Sequence, residues 1–137
     1  MIIFICTDKN KGLLFNQRRQ SRDEAVLKDI LDTAGEQLWM NAYSSKLFVG
    51  VPDRIRIEED FLECAPLGSS CFVENIPLKP YEEQVERLVL YNWNRVYPGD
   101  TYLDLDLEQD WEMIERKEFG GTSHEKITRE IYRRKIC

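Results

Sequence analysis

Apolar residues fall along this chain in short runs separated by polar or turn-forming stretches, and the spacing within each run predicts its structure. Residues 2–6 are continuously apolar and rich in branched side chains, the pattern of a strand buried on both faces. Residues 8–12 are polar and end it. In residues 21–34, Val26, Leu27, Ile30, Leu31 and Ala34 make one face at helical spacing. Ser21 and Glu24 read as a capping box at the start of that helix, and Gly35 as its left-handed C-cap. Residues 38–40 predict a short buried strand, after which Asn41 caps a short helix over 42–48.

The second half alternates differently. A loop and short strand are expected over 51–57, and one or two helical turns over 59–65 before Pro66-Leu67-Gly68. A third apolar run covers 71–73, and two prolines within 75–80 exclude regular helix there. Strands are expected over 85–93 and 111–119, with turns at Tyr97-Pro98-Gly99-Asp100 and Gly120-Gly121. The last segment is open on pattern alone. Ile127 and Ile131 fit helical spacing, with Thr122 and Glu125 as a capping box, while Ile127, Arg129 and Ile131 equally share one face of a strand. Strands alternating with helices, then strands joined by turns, predict an α/β single domain: a mixed, mostly parallel sheet with flanking helices.

Composition narrows the class. With 137 residues, 42% of them hydrophobic, the chain suits one domain with a sizeable core. No apolar run approaches a membrane span, and the N-terminal run lacks a basic leader, so a cytoplasmic protein with no membrane partner is expected. Cys6, Cys64, Cys71 and Cys137 form no CxxC pair and there is one histidine, His124, so reduced thiols and no metal site are expected. Asp104, Asp106, Glu108, Asp110 and Glu112 lack the turn glycine and closing glutamate of a calcium loop.

Charge changes the picture only when read by position. Nineteen Lys+Arg against 25 Asp+Glu give a net charge of -6, which argues against broad nucleic-acid binding. Yet Lys9, Lys11, Arg18, Arg19 and Arg22 stand in a stretch without a single acid. Arginine forks match phosphate or carboxylate, and loops beside rigid elements carry function. Asn16, Arg18, Arg19, Gln20, Ser21 and Arg22 are therefore the candidate ligand-binding residues, with Asp23 a candidate acid/base or anchoring carboxylate. Tyr43, Ser44, Tyr91 and Trp93 follow or end neighbouring strands, where open α/β sheets bind ligands, and are expected to line the same cleft. His124 reads as a surface or capping residue.

Several stretches resemble the dihydrofolate reductase family. Leu88-Val-Leu-Tyr-Asn-Trp-Asn-Arg-Val-Tyr-Pro-Gly-Asp-Thr101 looks like the family's strand leading into a Gly-Asp-Thr turn. Trp111-Glu-Met-Ile-Glu115 and Glu130-Ile-Tyr-Arg-Arg134 resemble its last two strands, which implies that 124–134 is strand. The resemblance implies a dihydrofolate-reductase-like fold, with Asp23 or Glu24 near the place of the family's substrate-binding carboxylate. Departures bear on the cofactor. The family's phosphate-binding Gly-Arg-x-Thr is Asn41-Ala-Tyr-Ser44 here, its Gly-Gly pair is Glu74-Asn75, and Tyr91 replaces a threonine. The active-site loop is shortened to Asn10-Lys-Gly-Leu-Leu-Phe-Asn16. NADPH is thus possible as a cofactor, but its motifs are missing and none is expected. The chain is also similar to short bacterial proteins sometimes labelled ribonuclease Z, whose metallo-hydrolase chemistry needs more histidines than one. The expectation is a protein that binds a small anionic ligand. The alternatives are a degenerate NADPH-dependent reductase and an RNA-binding or RNA-processing protein using the arginine stretch.

Overall fold

The computed structural model describes residues 1–135, so the expected free thiol of Cys137 lies outside the described residues. Ten strands and three short α-helices follow in chain order. The first are β1 (Ile2–Thr7), β2 (Gly12–Phe15), β3 (Arg18–Arg19), α1 (Glu24–Ala34), β4 (Leu38–Met40), α2 (Ala42–Ser45) and β5 (Ile55–Ile57). Then come α3 (Phe61–Cys64), β6 (Ser70–Phe72), β7 (Arg87–Asn92), β8 (Thr101–Tyr102), β9 (Trp111–Phe119) and β10 (Ile127–Arg134).

Seven strands form one sheet in the order β5-β4-β6-β1-β7-β10-β9. The first four pairings are parallel, and β10 runs antiparallel to both β7 and β9. The expected mixed, mostly parallel α/β domain is the observed one. The period-two pattern of 127–134 prevails over the helical alternative because ladders on both sides of β10 satisfy its backbone, which one turn of capping could not match.

The continuous apolar runs of β1 and β7 follow from their central place. Ile3, Ile5, Leu88 and Leu90 enter one core with Trp111 and Val85, while Phe4, Val89 and Tyr91 enter the other with Val26, Leu27 and Ile30 of α1. Both faces of the sheet are covered, so no polar alternation survives.

The structure differs from the expected elements in two places that matter for function. First, α1 starts at Glu24, and its N-cap is Asp23, whose side chain accepts the Ala25 N–H. The Ser21–Glu24 box does not form, because the Ser21 hydroxyl is engaged elsewhere and a carboxylate lies one residue before the helix. Gly35 has the expected positive φ of 87°, but its ψ of -146° is extended rather than left-handed helical. Second, the supposed loop after β1 is a hairpin. β2 and β3 pair antiparallel, Phe15 opposite Arg18, and β8 joins them in a separate three-stranded sheet. The two hairpin residues, Asn16 and Gln17, have φ of 50° and 63°. Both positive values are what a two-residue turn demands if it is to follow the strand twist.

Among the described residues no helix is long and apolar enough to cross a membrane, and no group of His, Cys, Asp or Glu side chains is placed to hold a metal ion. Cys6, Cys64 and Cys71 are free thiols.

Candidate functional site

Asp8, the first residue after β1, is 1% exposed and organises one side of the site. Its Oδ1 accepts the N–H groups of Asn10 (2.9 Å) and Gly12 (2.8 Å). Its Oδ2 accepts the Gln20 side-chain amide (3.3 Å) and the Tyr97 N–H (3.1 Å). One carboxylate thereby joins the start of β2, the segment after β3 and the loop after β7. The Gln20 amide also donates to the Pro98 carbonyl, wedged between Gly12 and Gly99; a Cβ on either glycine would lie 2.6 or 2.9 Å from its nitrogen.

Beside this knot lies an open cleft of about 480 Å³. The hairpin supplies Phe15, Asn16, Arg18 and Arg19 to its wall, and Gln20, Tyr97 and Pro98 complete it. The lining holds two guanidiniums and no carboxylate. Arg19 is fixed from behind. Its Nε and Nη2 grip Glu74 at 2.8 and 3.0 Å, its guanidinium sits 4.4 Å over the Tyr43 ring, and its backbone N–H donates to the Tyr43 hydroxyl. Ser44 donates to the same Glu74 carboxylate at 2.8 Å. Arg18 projects from the hairpin and makes no ion pair among the described residues, in contrast to Arg19 and Arg22.

A second cluster adjoins the cleft through Tyr97. His124 is 4% exposed. Its Nδ1 lies 2.9 Å from Asp23 Oδ2, and its Nε2 lies 2.8 Å from the Tyr97 hydroxyl and 3.1 Å from the Ser21 hydroxyl. The ring stacks on Trp93 at 4.7 Å. An ionised carboxylate only accepts, so Nδ1 carries the proton and Nε2 of the neutral ring is the acceptor. Asp23 also accepts the N–H groups of Ala25, Thr122, Ser123 and His124. Burial would raise the Asp23 carboxyl, but the hydrogen bonds from Thr122, His124, Ser123 and Ala25 outweigh it and hold it at about 2. Gly121 permits this wrapping: a Cβ there would lie 2.5 Å from Asp23 Oδ2.

The structure gathers the sequence-derived candidates unevenly. Asn16, Arg18, Arg19 and Gln20 line one cleft, and behind it stand Tyr43 against Arg19 and Ser44 on Glu74. Ser21 and Asp23 belong to the histidine cluster. Arg22 pairs with Glu24 on the exposed surface. Tyr91 is fully buried on the α1 side and donates its hydroxyl to Asp29 at 2.7 Å, apart from the cleft lining. His124, expected at the surface, is buried, because its two nitrogens find partners about 100 and 30 residues away in sequence. Three further residues build the site: Asp8, Tyr97 from the expected turn, and Glu74 from the segment that replaces the family's Gly-Gly pair. A lone acid after a buried strand is the only local signal Asp8 offers.

The segment that stands for the family's phosphate-binding turn does not fit a dinucleotide phosphate. The Ala42 N–H at the start of α2 is taken by Glu59 Oε2 (2.9 Å), and the Ser44 N–H by Asn41 Oδ1 (3.1 Å). Asn41 is in turn tied to Asn75 at 2.8 Å. Two carboxylates of the chain itself, Glu59 and Glu74, hold the donors that a phosphate needs.

No protein family's sequence pattern matches the chain, and no curated protein matches it. Among solved structures it is similar to a dihydrofolate reductase from Enterococcus faecalis, described as complexed with NADP(H) and RAB-propyl. That structure superposes with a TM-score of 0.70 at 12% identity, over 98% of this chain and 96% of the other. The likeness shows a dihydrofolate-reductase-like fold.

Proposed function

We propose that this protein binds a small phosphate- or carboxylate-bearing ligand in the cleft between the β2–β3 hairpin and Tyr97-Pro98. One observation carries the proposal: the cleft wall has two guanidiniums and no acid, in a chain of net charge -6. Arg18 makes no ion pair among the described residues, and Arg19 is held in a fixed pose by Glu74 and Tyr43, so little ordering entropy of Arg19 remains for a ligand to overcome.

A small ligand is favoured over the two alternatives. RNA binding calls for a track of free cations, whereas Arg19 and Arg22 are already paired with Glu74 and Glu24. A nicotinamide-dependent reductase has the fold in its favour, but the donors behind Asn41 and Ser44 are held by Glu59, Asn41 and Glu74.

Thermal unfolding with inorganic phosphate, citrate, AMP and NADPH tests the proposal. At a hundred times its Kd, a ligand that binds only the folded chain adds about 2.7 kcal/mol. Phosphate, citrate or AMP should raise the melting temperature, and Arg18→Ala should abolish the rise while leaving the unliganded melting temperature unchanged. A rise that survives in Arg18→Ala, or a response to NADPH alone, would refute it.

A further inference from the structure

Ser21, His124 and Asp23 form a hydrogen-bonded relay, and nothing about anion binding requires one. Ser21 Oγ lies 3.1 Å from His124 Nε2, and His124 Nδ1 lies 2.9 Å from Asp23 Oδ2. Each component has the setting its role needs. Asp23 has a fully buried side chain, is held ionised by its hydrogen bonds and fixes the imidazole tautomer that leaves Nε2 basic. The imidazole is locked in place by stacking on Trp93. Ser21 is only partly buried and directly follows Gln20, which lines the cleft. The backbone N–H groups of Ser21 and Arg22 make no hydrogen bond among the described residues, which leaves donors beside the hydroxyl unspent.

We infer that Ser21 is a nucleophile activated by His124 and positioned by Asp23, and that the chain cleaves small esters by acyl transfer through Ser21. The Ser21 oxygen attacks the ester carbonyl carbon as its proton passes to His124 Nε2. The carbon–oxygen bond to the leaving alcohol then breaks, and Nε2 returns the proton to that alkoxide. Water gives a proton to the same nitrogen as it attacks the acyl-Ser21 ester; the bond from the acyl carbon to Ser21 Oγ breaks, Nε2 returns the proton to Oγ, and a carboxylic acid is released. The sum is ester plus water giving acid plus alcohol.

The Tyr97 hydroxyl reaches the same Nε2 at 2.8 Å and shares its one lone pair with Ser21.

The test uses the whole protein with p-nitrophenyl acetate, a neutral ester that needs no cation for binding, and with a fluorophosphonate followed by peptide mapping. The adduct is expected on Ser21, and hydrolysis by Ser21→Ala should fall about a hundredfold. No adduct, an adduct on another residue, or a folded Ser21→Ala that hydrolyses at the parent rate would overturn the inference. Peptide mapping of the parent chain decides the matter even if a variant fails to fold. A negative result here leaves the anion cleft standing, since that is read from ligand-induced melting shifts at Arg18.

Discussion

At the scale of single residues, Asp23 gathers more of the structure than any other side chain near the cleft. Its carboxylate caps α1, receives three successive backbone N–H groups and fixes the histidine. Because its folded-state value is depressed to about 2 from an ordinary 3.8, the stability it contributes is fully present above about pH 4 and is lost as pH falls towards 2. The magnitude is on the order of 2 kcal/mol. Urea unfolding of the parent and Asp23→Asn between pH 2 and 6 checks this. The two curves should be separated above pH 4 and converge towards pH 2, and a constant separation would contradict the assignment. None of this could be read locally. The residue was legible as a candidate because it precedes an obvious helix, but its partners at 122–124 are about 100 residues away. The same distance hid His124.

At the scale of elements, those with a strong internal pattern were legible. The face of α1, the apolar runs of β1 and β7 and the aromatic-rich β9 all appear close to where their spacing puts them. The β2–β3 hairpin was not, because its turn residues, Asn16 and Gln17, lack the glycine that usually marks a two-residue turn. Gln17 holds φ at 63° with a full side chain, a strained position. Gln17→Gly should therefore stabilise the protein by roughly 0.5–1 kcal/mol, read as a rise in the denaturation midpoint at unchanged slope. A loss of stability would mean that the turn differs from the one described. The hairpin carries Arg18 to the cleft, so its rigidity bears on ligand affinity as well.

At the scale of the whole molecule, the sheet divides the interior into two cores, and β1 belongs to both. Phe4 is fully buried between α1 and the sheet, so Phe4→Ala should cost about 3–5 kcal/mol in urea unfolding. A cost below 1 kcal/mol would show that the second core is not closely packed. The fold class was accessible from sequence because strand order follows from hydrophobic runs and short connections. The arrangement of β10 between β7 and β9 was decided by pairing, since its own residues fitted two periods.

That arrangement has a consequence for synthesis. β9 reaches the sheet only through β10, which follows it in the chain. A ribosome that pauses before Ile127 has emerged displays a nascent chain whose β7 edge is bare and whose nine-residue β9 has no place to dock. Until the later strand leaves the exit tunnel, two unpaired edges are open to neighbouring nascent chains and to chaperones.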